Sequence, residues 1–327
     1  MMRPVIAVAA GCLVNSSGEV LIAQRPAGKI AAGQWEFPGG KIERGESARE
    51  ALVRELHEEL GVDVREARPL ICITHDYSDR TVRLDTWCVS AFDGEPHGRE
   101  NQAFAWVLPE NLHEYPLLAA DKPIVTALRL PQDYVFTPPA MPDVDVLQGV
   151  ASLPRGALLR LRQPALSESA YASLASALAV RCRELGLGLM LDRDPSQAAV
   201  VGASGWHASG AQLKNLTRRP VPDSLWFAAS VHNEAELQLA QKLGADFVVL
   251  GAVQSTKTHP GEVPLGWEKF SELAARANLP VYAIGGVGPA QHASVFAHYA
   301  QGTAGISAYW SVPSSGGDSS PSATGTV

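Results

Sequence analysis

Apolar residues in the first part of the chain come in short runs broken by polar turns. "RPVIAVAAGCLV" at Arg3–Val14 and "VLIAQR" flank "NSSGE", which predicts a strand, a turn and a second strand paired as a hairpin. The period then lengthens. Leu52, Val53, Leu56 and Leu60 share one arc at ~100° per residue, the spacing of a helix from about Ala48 to Leu60 packed on a core. Ser47 followed three residues later by Glu50 is a capping-box signature, and Gly61 is a natural stop. Further strands are predicted at "LICITHDY" and "TVRLDTWCVSAF", followed by a short closing helix near "KPIVTALRL".

The segment "PQDYVFTPPAMPD" concentrates prolines after that helix and marks a boundary. The expected units are residues 1–131, 132–311 and a disordered tail at 312–327, whose composition cannot bury a core. Beyond the boundary, "ALLRLR", "LGLMLD", "GASGWHA", "LWFAASV", "FVVLGAV", "PVYAIGG" and "AGISAYW" join Tyr134–Thr137 as eight strand candidates. They are apolar on both faces and separated by amphipathic stretches such as "NEAELQLAQKLGA", a pattern of parallel strands with helical crossovers. Eight such units predict a compact (β/α)8 TIM-type barrel, with no final helix visible. The fold class is α/β throughout.

A chain of 327 residues suits two domains, and 46% hydrophobic with 19% charged residues is the balance of a soluble globular protein. A formal net charge of −7 argues against direct nucleic-acid or anionic-membrane binding and leaves free nucleotides open, with a metal to offset charge. Cys12, Cys72, Cys88 and Cys182 are scattered, so neither a zinc site nor a disulfide framework is expected, and a reducing cytoplasm fits. The apolar run at Arg3–Val14 is too short to span a membrane.

On the predicted helix, Glu55, Glu58 and Glu59 converge on a second arc. Like charges at these spacings cost ~0.2–0.5 kcal/mol per pair, so the cluster needs either water or a cation. Gly39 and Gly40 allow a close backbone approach, and Gly45 followed by Glu46 adds a carboxylate beside the helix. The whole reads G-x5-E-x7-R-E-L-x-E-E-x-G-V from Gly40 to Val62, and with that spacing it resembles the Nudix box.

The resemblance implies a Nudix α/β/α sandwich that hydrolyses nucleoside diphosphate derivatives with Mg2+, Mn2+ being an alternative. It carries the metal ligands onto Glu55, Glu58, Glu59, the carbonyl of Gly39 and, in "GRENQAFAW", Glu100. Arg54 would orient the glutamates and Glu55 would deprotonate or position water, so Arg54, Glu55 and Glu58 are the catalytic candidates. The flanks "VLIAQRPAGKIAAGQWEFPGG" and "PLLAADKPIVTAL" are similar to MutT-type 8-oxo-dGTP diphosphatases over about Pro4 to Leu130. In that family the products are the nucleoside monophosphate and pyrophosphate, a nucleotide-pool sanitation that protects DNA replication. Its base-recognition positions fall on Arg25, Phe37 and Asp121. At the third, the best-known bacterial pattern has Asn; an ionised Asp only accepts hydrogen bonds, which puts the preference for oxidised guanine in doubt. All these residues precede the boundary, so a fragment ending near Leu130 is expected to be hydrolytic alone.

Residues from about Tyr134 to Trp310 resemble the thiamine phosphate synthase and thiazole tautomerase barrels, carried by "LRLRQ", "SVHNEAE", "GADFVVLGAVQSTKTHPG", "PVYAIGGV" and "GISAYW". Gly285, Gly286 and Ser307 stand at the ends of the seventh and eighth strands, where barrels hold a phosphate. Several synthase positions are lost: Arg193 replaces an acidic metal ligand, the catalytic lysine of the second strand is replaced near Pro164, and His259 replaces another lysine. The acidic residue after the fourth strand is missing from "GWHASGAQL". His232 matches the tautomerase branch's proton-transfer position. A thiazole or thiamine phosphate is therefore the ligand expected for the barrel. The alternative is a thiazole tautomerase or thiamine-metabolite binding protein whose Nudix half is ancillary and acts on another nucleoside or thiamine diphosphate.

Overall fold

The computed structural model describes residues 3–99, 102–256, 261 and 263–310. The expected tail at 312–327, together with Glu100 and His259, lies outside the described residues.

The N-terminal half starts with β1 (Val5–Leu13) and β2 (Val20–Gln24), followed by the short β3 (Trp35–Glu36) and β4 (Gly39–Lys41). α1 (Ala48–Leu60) follows, then the long pair β5 (Asp63–Asp76) and β6 (Thr81–Asp93), β7 (Phe104–Val107) and α2 (Lys122–Arg129). One sheet has the order β4-β1-β6-β5, with β1 and β6 parallel; the other is β3-β2-β7 and antiparallel. The turn after β1 is present, with Asn15 N donating to Glu19 O at 3.0 Å, but the expected hairpin is not. Only the Val14–Val20 bridge joins the two strands before they enter different sheets. β1 instead finds nonlocal partners in β4 and β6.

α1 starts and stops where its end signals lie. Ser47 Oγ accepts from Glu50 N, Glu50 reaches back to Ser47 N, and Gly61 takes the left-handed conformation at φ 72°. Ala51, Leu52, Leu56 and Leu60 are buried against Ala9, Leu13, Leu21 and Val89, while Val53 is half-buried at the flank. On the opposite side, Ile124 and Ala127 of α2 pack with Cys12, Ile22, Ile71 and Ile73. Helices thus cover both faces of a β core.

The second half alternates regularly: β8 (Asp133–Phe136), α3 (Asp143–Gly149), β9 (Leu158–Arg160), α4 (Glu168–Leu185), β10 (Gly188–Leu191), α5 (Ser196–Val201), β11 (Gly205–Ala208) and α6 (Gly210–Asn215). It continues through β12 (Trp226–Val231), α7 (Glu234–Lys242), β13 (Phe247–Gly251), α8 (Gly266–Ala274), β14 (Val281–Ile284), α9 (His292–Ala297) and β15 (Gly302–Gly305). All eight strands pair in parallel and close into a barrel, with β15 on β8. Tyr134, Phe136, Leu158, Met190, Phe247, Val249 and Tyr282 fill its interior, and a second apolar layer lies between strands and helices. Among the described residues no helix follows β15, and none is long and apolar enough to cross a membrane.

The two halves meet at the N-terminal ends of the barrel strands. Leu130, just past α2, joins the barrel's interior cluster, and the Tyr282 hydroxyl donates to Pro131 O. Arg129 lies over the Trp226 ring, 4.8 Å from its centroid. Tyr299 OH donates to Asp85 of β6, with its oxygen 2.9 and 2.8 Å from the two carboxylate oxygens, and Thr74 N donates to Asn278 Oδ1 at 2.8 Å. The barrel mouth is at the opposite end.

Candidate functional site

β4 runs antiparallel to β1 and brings two glycines under α1. A Cβ on Gly39 would stand 2.1 Å from Ala9 O, and one on Gly40 would stand 2.2 Å from a Glu55 carboxylate oxygen. The glycines are what allow the backbone and the carboxylates to meet. Gly39 N donates to Glu59 Oε2 at 3.1 Å. Glu55 and Glu59 therefore lie against the same two residues, while Glu58 faces outward with 59% of its side chain exposed.

Arg54 ties this patch together. Its Nε and Nη2 grip Glu46 at 2.9 and 3.0 Å, and Nη1 reaches Glu55 at 2.8 Å and Glu58 at 3.3 Å. Nη2 also donates to Lys41 O. The bidentate pair is the strong form of such contacts. Hydrogen bonds from Arg54 and from the Glu43 backbone hold Glu46 below the usual carboxylate range. Arg54 itself is raised, first by Glu46 and then by Glu55.

Among the described residues, no three of His, Cys, Asp and Glu cluster tightly enough to hold a metal ion alone. The donor chemistry nevertheless fits Mg2+, which is commonly bound by one or two carboxylates with substrate phosphates and water completing the shell. Glu55 and Glu59 beside a bare glycine backbone are hard oxygen donors.

A second group of polar residues lies at the far end of the strand that begins with Trp35. Arg25 pairs with Glu36 and donates from Nε to Ile30 O at 2.7 Å. Asp121, at the start of α2, is 2% exposed, and its Oδ2 has no hydrogen-bond partner among the described residues. Burial first, and then the Glu36 charge, push its carboxyl well above the ordinary carboxylate range, against the pull of Arg25. Burial likewise raises Glu36 despite Arg25. Tyr77, in the β5–β6 turn, lies in the same field: burial and Asp121 raise its hydroxyl, with Arg25 and Arg80 opposing. Phe37, one residue past Glu36, is buried in the adjoining core. It is 4% exposed and packed with Ala10, Ile22 and Ile124.

Of the sequence candidates, Arg25 and Asp121 come together, as do Arg54, Glu55, Glu58 and Glu59. Glu36 and Tyr77 were missed. Glu36 had a signal, an acid beside the aromatic that was singled out; Tyr77 arrives through a hairpin turn with no fixed spacing to the rest.

At the barrel mouth, a cavity of about 630 Å3 is lined by Arg160, Arg162, Asp192, Arg193, Ser209 and Gln212, among others. Arg193 is committed structurally: it pairs with Glu168 at 2.7 Å, donates to Gln163 O and Leu166 O, and lies over the Tyr171 ring. Arg160, 5% exposed, bonds Asp192 at 3.1 Å. Pro164 sits exposed on the rim. Across the mouth, His232 Nδ1 lies 3.0 Å from Glu236 Oε2. Burial would raise Glu236, but hydrogen bonds from Lys214 and His232 hold it down at about 2. Gly285 and Gly286 both have positive φ, at 95° and 71°, and the following Gly288 abuts Ala308 beside exposed Ser307. The turns after β14 and β15 are thus adjacent.

Comparison with known proteins agrees with this division. The NUDIX domain family matches residues 9–127, and the thiamine monophosphate synthase family matches residues 134–309. The N-terminal half is 42% identical to the CTP pyrophosphohydrolase of Escherichia coli, covering 38% of this chain and 92% of that protein. It is 34% identical to the 8-oxo-dGTP diphosphatase of the same organism, over 37% of this chain and 95% of that protein. The barrel is similar to the thiamine biosynthesis bifunctional protein ThiM/ThiE of Symbiobacterium thermophilum, 33% identical over 56% of this chain and 38% of that protein.

Proposed function

Since the chain belongs to the thiamine monophosphate synthase family and bears a Nudix domain ahead of that barrel, we propose that it is a Mg2+-dependent nucleoside triphosphate diphosphatase acting on 8-oxo-dGTP. The products are 8-oxo-dGMP and pyrophosphate, and the role is sanitation of the nucleotide pool. The observation that carries the substrate is Asp121. Burial pushes this carboxyl well above the ordinary range, which favours its protonated form; a protonated carboxyl carries an O–H donor beside an acceptor, as a carboxamide carries a donor beside an acceptor, and would do the work of Asn. Oxidised guanine presents an O6 acceptor beside an N7–H donor, which that pair complements. Ordinary guanine presents two acceptors there and leaves one carboxyl oxygen facing a lone pair.

Glu55, Glu58, Glu59 and the Gly39 carbonyl, with Glu100 as the distant acid, would hold Mg2+, which would supply charge neutralisation on the phosphates and activation of water. Arg54 orients Glu55 and Glu58 through the hydrogen bonds described above, and Glu55 accepts the proton from water. Arg25, paired with Glu36, borders the base.

One observation favours a second substrate. Two acids, Glu36 and Asp121, lie close enough to influence each other, and a carboxyl oxygen in either protonation state accepts from the cytosine N4 amino group. Steady-state hydrolysis by the full chain across 8-oxo-dGTP, dGTP, CTP and thiamine pyrophosphate separates the readings. The expected result is the highest kcat/KM for 8-oxo-dGTP, retained in Asp121→Asn; a lead for CTP that Asp121→Asn abolishes would establish the cytidine reading instead.

In the barrel, the turns at Gly285, Gly286 and Ser307 bind a thiazole or thiamine phosphate. Arg193 and Pro164 leave the synthase condensation without its groups. His232, hydrogen-bonded to Glu236, would carry proton transfer on such a ligand.

A further inference from the structure

α2 is the element that joins the nucleotide site to the barrel, and its two ends are unequally held. It spans only eight residues, too short to persist without anchors. At its N-terminal end Asp121 makes no side-chain capping bond, and its buried Oδ2 has no hydrogen-bond partner among the described residues. At its C-terminal end the anchors come from the barrel. Gln301 Nε2 donates to Ala127 O at 2.9 Å and to Leu130 O at 3.0 Å, satisfying carbonyls of the last turn. Both partners are carbonyl oxygens, so only the amide N–H2 can face them, and Oε1 is left buried without a partner among the described residues. Leu130 is sunk in the barrel floor, Tyr282 holds Pro131 O, and Arg129 covers Trp226.

We propose that the barrel floor is a specificity element of the nucleotide site, with Gln301 as the positioning residue that fixes α2 and, through it, Asp121. The inference rests on the base-recognition reading above. Gln301 touches no substrate. Its contribution is to the placement of the acid that reads the base, so its loss acts on base discrimination and KM before it acts on the carboxylate patch that does the chemistry.

The test uses the full chain. Gln301→Met keeps the volume and removes the donor; Tyr299→Phe loosens the same border at Asp85 without touching α2. Gln301→Met should raise KM for 8-oxo-dGTP at least about fivefold and shrink its lead over dGTP, with kcat within about twofold. Tyr299→Phe should leave both unchanged. Hydrogen exchange supplies a readout independent of substrate: amides of residues 122–130 should exchange faster in Gln301→Met while those of α1 do not. Unchanged KM with unchanged exchange overturns the proposal, as does an equal effect of Tyr299→Phe, which would make the border loosen as a whole. A wild-type chain that hydrolyses no purine nucleotide while the exchange difference appears sinks the substrate reading and leaves the coupling standing.

Discussion

Asp121 concentrates the substrate question in one side chain. Its folded pKa lies well above the ordinary 3.8, for burial first and Glu36 second, with Arg25 opposing. An acid so shifted favours the fold in its protonated form. That contribution is complete below 3.8 and is lost as pH rises through the folded value. Asp121→Asn cannot ionise, so thermal melts should show the variant gaining on wild type as pH climbs, with no such gain below pH 3.8. A melting difference constant across pH would mean that burial does not raise this carboxyl. The neighbouring Phe37 packs beside Ile22 and Ile124 and, at 4% exposure, is about as buried as Asp121 at 2%, so burial alone does not separate these two base-recognition candidates.

Among the elements, those specified by local signals were the most legible. The capping box at Ser47 and the stop at Gly61 fixed α1 to the residue, and eight apolar runs became eight barrel strands. What escaped depended on distant partners. β1 and β2 are joined by a turn suited to a hairpin, but β1 is claimed by β4 and β6, which lie farther along the chain. Tyr77 lies in the field of Asp121 although the two are far apart in sequence, a matter of tertiary path that no spacing records. The β4–α1 contact is legible from both sides, since the glycine pair and the glutamates belong to one motif. Gly40→Ala should lower turnover at least about tenfold with the fold intact, because its Cβ would displace the Glu55 carboxylate. Wild-type kcat in that variant would detach Glu55 from the chemistry.

The whole molecule places its two candidate sites apart. The nucleotide half sits on the barrel floor, while His232, Gly285, Gly286 and the Arg160–Asp192 pair line the mouth at the other end. The proline-rich boundary near residue 131 suggested separable units, but Leu130 belongs to the barrel interior and Gln301 caps α2 from across the border. A fragment ending at Leu130 therefore keeps the carboxylate patch and loses the partners of its last helix. The central claim concerns which bond the intact chain breaks. With Mg2+ and 8-oxo-dGTP, 31P NMR of the reaction should show pyrophosphate and 8-oxo-dGMP appearing together, and both should vanish in Glu55→Gln. Release of orthophosphate with a nucleoside diphosphate, or hydrolysis undiminished in Glu55→Gln, would contradict the account.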